Sequence, residues 1–200
     1  MSPEMRTAWV CALVGLALLG GACRRAAPPA FHGLPVREPL PAEITLLAHD
    51  GRPFPFRALQ GTVTFLAFGY TLCPDICPMT LLTLKRARAL LGADAARVRV
   101  LFVTTDPARD TPARLGRYVS LFDPEVIGLT GTPSALARVY AAFHVYPTPY
   151  EAPGAGRDVR IGHATAIYLV DHRGTIRFSY PWGIPAADLA ADARALLAGH

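Results

Sequence analysis

The sequence predicts an α/β fold, with a central mixed sheet flanked by helices and an N-terminal β-hairpin. Three observations predict it. Segments rich in β-branched and aromatic residues alternate along the chain with segments of helical period. Two of the strand-like segments, TVTFLAFGY (Thr62 to Tyr70) and RVRVLFVTTD (Arg97 to Asp106), are apolar on both faces, as expected of strands buried in the middle of a sheet. A late pair, ATAIYLVDHRGTIRFSY, reads as two strands joined by a turn at Asp171 to Gly174, which adds antiparallel pairing to an otherwise parallel order.

The N-terminus is of a different kind. After Arg6 comes an apolar run of eleven residues, Trp9 to Leu19, the length of a signal segment and short for a bilayer span. Small residues then precede Cys23 in LLGGACRR, a pattern like a bacterial lipoprotein cleavage box, although Gly20 stands where a leucine is usual. Residues 1–22 are therefore expected to be a signal peptide, with Cys23 lipidated and the rest exported to the extracytoplasmic, periplasmic side of the membrane. Residues 23–40 carry Pro28, Pro29, Pro35 and Pro39 and read as an extended tether. The folded domain is expected over residues 41–200.

Within it, ITLLAHDGRPFPF is a hairpin with its turn at His49, Asp50 and Gly51. The first central strand is followed by a helix whose apolar periodicity is clear from Thr80 to Leu91, closed by Gly92. After the second central strand, Thr111 and Pro112 make a helix start, with threonine as cap and proline in the first turn. VIGLTG is a short strand, and a second Thr-Pro pair opens a helix from Pro133 to Phe143. Tyr146 to Arg160, rich in proline and glycine, is a loop or loose hairpin. Ala186 to Ala198 is the last helix.

Composition narrows the function. Hydrophobic residues make up 52% of the chain, enough for a substantial core, and the net charge of +5 comes from scattered arginines with Lys85 the only lysine. No basic block marks a nucleic-acid surface. Of the four cysteines, Cys11 lies in the signal and Cys23 at its end. The exported domain keeps Cys73 and Cys77, in the motif FGYTLCPDICPMT. A disulfide closing so short a loop would stabilise little. The motif sits between the first central strand and its helix, the place of the redox motif in a thioredoxin-like fold. The helix N-terminus there should lower both thiol pKa values. A thiolate is both a nucleophile and a metal ligand, so the pair alone leaves electron exchange and metal binding open.

A third ligand would favour metal. Among the histidines, His32 falls in the tether, His200 is terminal, His49 and His172 lie in turns, and His144 ends a helix. His163, in IGHATAIYLVD, precedes a strand whose entry should face the thiols. The proline that a thioredoxin carries beside this strand is missing; Pro153 is the nearest before it. Two thiolates and one imidazole form a soft set suited to Cu(I), or to Cu(II) with an added ligand, whereas structural zinc usually takes four. Met79 is expected in the core and Asp75 in solvent.

FGYTLCPDICPMT, VTTDPARDTPARLGRYVSLFDPEVIGLTGTP and GHATAIYLVDHRG, in this order, resemble the Sco/SenC family over roughly Pro41 to Leu197. The resemblance implies a thioredoxin-like fold and copper as the cofactor, held by Cys73, Cys77 and His163. It implies a copper chaperone, not an enzyme in the strict sense, that serves the dinuclear copper A site in subunit II of cytochrome c oxidase. Other periplasmic copper chaperones or thiol-disulfide proteins would be further partners. An alternative within the same resemblance is a thiol-disulfide oxidoreductase acting on the oxidase cysteines, with Cys73 and Cys77 as its redox pair. Where family members often have aspartate before the histidine, this chain has Gly162. The DPARDTP block, Asp106 to Pro112, also matches the family and reads as a turn with a helix cap.

Overall fold

A computed structural model of the chain describes residues 30–151, 159–162 and 165–200. The expected signal peptide, Cys11, Cys23 and His163 lie outside the described residues. The strands are β1 (Leu34–Pro39), β2 (Thr45–Ala48), β3 (Pro53–Pro55), β4 (Val63–Gly69), β5 (Val98–Thr104), β6 (Val126–Thr130), β7 (Thr148–Glu151), β8 (Val159–Gly162), β9 (Ile167–Val170) and β10 (Thr175–Tyr180). The helices are α1 (Ile76–Leu91), α2 (Pro112–Ser120), α3 (Pro133–Ala142) and α4 (Ala186–Leu197). Among the described residues, eight strands form one sheet in the order β1-β10-β9-β4-β5-β6-β2-β3, and β7 pairs with β8 in a separate hairpin.

The sheet is mixed, as predicted. β4, β5 and β6 run parallel, while β9 pairs antiparallel with β4, with Ala67 opposite Ile167. β4 is buried along its whole length, and its side chains alternate between two cores. Val63, Phe65 and Ala67 pack in one core with residues of α1, α2 and α4. Leu66 and Phe68 pack in the other with Leu136 and Val139 of α3. Emptying either core at a fully buried phenylalanine such as Phe65 would cost about 3–5 kcal/mol.

Both Thr-Pro pairs start helices by the predicted mechanism. Thr111 Oγ1 accepts the Arg114 N–H at 3.3 Å, and Thr132 Oγ1 accepts the Ala135 N–H at 3.2 Å. α1 begins at Ile76, earlier than its apolar periodicity alone suggests. Pro78 looks like a breaker in the sequence, but it stands in the first turn, where no intrahelical partner awaits its missing N–H.

Part of the segment expected as a tether belongs instead to the sheet. Residues 34–39 form edge strand β1, paired antiparallel with β10. The prolines that suggest a linker suit this edge, because an edge strand has one row of N–H groups that needs no partner in the sheet. Pro53 and Pro55 mark β3, at the opposite edge, in the same way.

His32, expected in the tether, is also part of the fold. Phe31 stacks on Phe178 with ring centroids 4.4 Å apart. A Cβ at Gly33 would lie 2.6 Å from Phe178 Cβ, so only glycine fits there. Asp192, inside α4 and 1% exposed, gathers the segment. Its Oδ2 accepts the N–H groups of His32 at 2.9 Å and Gly33 at 3.2 Å and the Tyr180 hydroxyl at 2.8 Å. Its Oδ1 lies 2.7 Å from His32 Nδ1, and Asp188 faces the other ring nitrogen at 3.7 Å.

The hydrogen bond to Asp192, with the charges of Asp192 and Asp188, raises the His32 pKa above 6.5. The stabilisation from charged His32 is therefore complete below about 6.5 and is lost as pH rises through the raised value. A His32→Gln variant should melt below the parent at pH 6, and melting curves across pH should show the gap closing as pH rises through the raised His32 pKa.

Candidate metal centre

β4 ends at Gly69, and a short turn carries the chain into α1. Within it the Cys73 N–H donates to the Tyr70 carbonyl at 3.1 Å. The Cys77 N–H, in the first turn of α1, donates to Cys73 Sγ at 3.4 Å. The three-residue spacing thus puts Cys73 in the turn before α1 and Cys77 in its first turn, with the two sulfurs beside each other at the helix start. Both are thiols; Cys73 is half-buried and Cys77 is 1% exposed. Asp75 is exposed at the N-cap position, as expected.

Cys77 is set directly on the sheet. A Cβ on Gly69 would fall 2.6 Å from Cys77 Sγ and 2.8 Å from Phe102 Cζ. Any side chain at position 69 would push α1 away from β4. The glycine stands in the sequence just ahead of the motif, but its role emerges only once the Phe102 ring is seen closing the other side.

The turn is fastened to the next β-α connection. Asp110, 1% exposed, accepts the Thr71 hydroxyl on Oδ1 at 2.6 Å. Its Oδ2 accepts the Thr71 N–H at 3.1 Å and the Thr104 hydroxyl at 2.6 Å. Arg114 Nε donates to Thr71 Oγ1 at 2.8 Å. The Thr105 N–H donates to the Gly69 carbonyl at 2.7 Å, extending the parallel pairing one step past β5. The DPARDTP block does form the predicted turn and cap, with the Arg109 and Asp110 N–H groups donating to the Asp106 carbonyl. The reach of Asp110 to Thr71 across the sheet is not legible from that pattern. Leaving one such buried hydroxyl unsatisfied costs about 1–3 kcal/mol, and a charged carboxylate oxygen costs more.

The Cys77 thiol departs from the predicted electrostatics. Its pKa lies far above the usual thiol range, because of its hydrogen bond with Cys73, then burial, then the Cys73 and Asp110 charges. A backbone hydrogen bond to Tyr70 acts in the opposite direction and is outweighed. The helix start alone predicts a lowered value, but the neighbouring sulfur and the dry setting dominate.

The remaining candidates separate clearly. Met79, expected in the core, is 42% exposed, and it lines a crevice with Thr80, Ile167 and Trp182. Leu72 is exposed next to Cys73. His49 Nδ1 accepts the Gly128 N–H at 2.9 Å, a role within the fold. His32 is held by Asp192. Among the described residues, no group of three His, Cys, Asp or Glu side chains is placed to hold a metal ion. The described chain resumes at Thr165 and enters β9 with Ile167 opposite Ala67, so this entry lies at the end of β4 that leads to the thiols.

Comparison with known proteins agrees with this architecture. Residues 35–198 match the family model described as SCO1/SenC. The chain is 38% identical over 136 residues to the mitochondrial SCO2 homolog of Bos taurus, covering 66% of this chain and 50% of that one. It is 37% identical over 126 residues to the mitochondrial protein SCO2 of Saccharomyces cerevisiae, covering 62% of this chain and 42% of that one. The chain therefore spans half or less of the length of these relatives. The structure of Bradyrhizobium japonicum ScoI with copper bound superposes with a TM-score of 0.70 at 32% identity, over 84% of this chain and 99% of that one.

Two outcomes follow from the geometry. Limited alkylation of the reduced protein at pH 8 should label Cys73 well before Cys77, read by peptide mass spectrometry, because Cys77 is buried and held protonated. Gly69→Ala should lower stability by about 1–3 kcal/mol through overpacking, read by denaturant unfolding, and should expose Cys77 to the same reagent.

Proposed function

Since the chain belongs to the SCO1/SenC family, we propose that it is a membrane-tethered copper metallochaperone that delivers copper to the dinuclear copper A site of cytochrome c oxidase subunit II. The observation that carries this reading is the placement of Cys73 in the turn before α1 and Cys77 in its first turn, with the Cys77 N–H on Cys73 Sγ. Two sulfurs held side by side, one of them reachable from solvent, form an open chelate for a soft cation. The copper-bound Bradyrhizobium relative supports the choice of metal.

In this reading His163 is the third ligand. Its support is the entry of β9 at the end of β4 that carries the thiols, together with the family resemblance. Copper is cargo. It meets Cys73 first, since Cys73 is the more exposed sulfur, and the Cys77 proton leaves as the second sulfur binds. Release to the oxidase subunit then proceeds by exchanging these ligands one at a time for those of the acceptor. The N-terminal apolar run and Cys23 would supply the membrane attachment, leaving the domain on the extracytoplasmic side.

The adjacency of the two reduced thiols also favours a second reading, a thiol-disulfide oxidoreductase that keeps the oxidase cysteines reduced. The two readings divide at the histidine, because thiol exchange needs Cys73 and Cys77 and has no use for an imidazole ligand.

Competition titration with a Cu(I) chelator should give one copper per reduced chain. Cys73→Ser and His163→Ala should each weaken binding by at least tenfold. Full copper affinity in both variants would overturn the ligand assignment. Full reductase activity on oxidised subunit II by His163→Ala, with no copper bound by the parent, would favour the second reading.

A further inference from the structure

We infer that Asp110 is a positioning residue for the copper site: acting through Thr71, its buried carboxylate holds the turn that carries Cys73 in the geometry that receives the metal. This rests on the copper reading above and adds residues that are not ligands. The turn and helix cap of the DPARDTP block are made by the Asp106 carbonyl and by Thr111. Asp110 directs its carboxylate elsewhere, to Thr71 and Thr104.

The hydrogen-bond directions are fixed by the chemistry of the donors. Arg114 Nε can only donate, so Thr71 Oγ1 accepts from it and must direct its own proton to Asp110. Thr104 Oγ1 accepts the Asp106 N–H at 2.9 Å and likewise gives its proton to Asp110. The result is a one-way chain from Arg114 in α2 through Thr71 to the carboxylate, closed by a second arm from the end of β5. Thr71 also donates its backbone N–H to the same carboxylate, so side chain and main chain are both held. Thr71 stands two residues before Cys73, and the Cys73 N–H bonds the carbonyl of Tyr70, which immediately precedes Thr71. The position of the more exposed sulfur is therefore set by a charge that does not touch it. A Cys73 freed from this restraint would have to be ordered when copper binds, at the expense of affinity.

The test uses Thr71→Val, which keeps the β-branched shape and the backbone N–H but deletes the hydroxyl, with Thr71→Ser as its rescue. The probe is Cu(I) itself, titrated against a chelator into the full reduced chain. Thr71→Val should bind copper roughly tenfold more weakly, and Thr71→Ser should return to within about twofold of the parent. Amide hydrogen exchange without metal gives an independent readout. In Thr71→Val, exchange at Thr71 and Cys73 should accelerate roughly tenfold, while Leu81 and Leu84 in the middle of α1 keep their protection. Parental copper affinity in Thr71→Val, or weakened affinity in both variants alike, would overturn the positioning role. If instead the parent and Cys73→Ser bind copper equally, the copper reading itself fails, and the exchange data then decide alone whether Asp110 holds the turn.

Discussion

The first turn of α1 lies against the end of β4 so closely that no side chain can stand between them. Cys77 Sγ occupies the space a Cβ on residue 69 would need, and the Phe102 ring closes the other side. The rest of the site follows from this contact. It buries one sulfur, leaves the other at the rim, and fixes the direction in which the helix departs. Because β4 is a fully buried inner strand of the sheet, the sulfur pair rests on the core of the molecule. The charged groups that restrain its loop come from the neighbouring β-α connection, where parallel strand ends naturally gather.

The same contact explains why the thiol chemistry differs from what a helix start alone predicts. Helix N–H groups favour a thiolate, and an isolated cysteine there would be acidic. Here the second sulfur, the dry surroundings and the Asp110 charge all favour the proton on Cys77. A protonated, buried Cys77 is a poor nucleophile toward adventitious oxidants or electrophiles. A soft cation displaces that proton by forming metal–sulfur bonds, an exchange that most small molecules cannot offer. In the proposed function Cys77 keeps its proton until the metal arrives, while Cys73 remains the sulfur open to solvent.

Much of the architecture was legible in the sequence, because it depends on local signals. Double-faced apolar runs mark the central strands, Thr-Pro pairs mark two helix starts, and the thiol motif marks the strand-to-helix turn, with Cys73 before the helix and Cys77 in its first turn. The departures share a cause: a residue with a strong local meaning had a different partner in space. Prolines at 35 and 39 suggested a linker, yet an edge strand tolerates them equally well. His32 lies in a proline-rich stretch, yet Asp192 of α4, distant in sequence, binds it. Asp110 read as part of a turn, and only the parallel pairing of β4 with β5 brings it to Thr71. Met79 follows the apolar pattern of α1 but falls on the rim beside Trp182. Such contacts join elements across the sheet, and no pattern within one element announces them.

The proposed function requires copper to be held by sulfur from this one turn. X-ray absorption at the copper K-edge on the reduced, copper-loaded full chain tests that directly. Two sulfur scatterers and one imidazole nitrogen are predicted, with the sulfur shell lost when Cys73 and Cys77 are both replaced by serine. A shell of nitrogen and oxygen alone, or a sulfur shell that survives the double replacement, would contradict it.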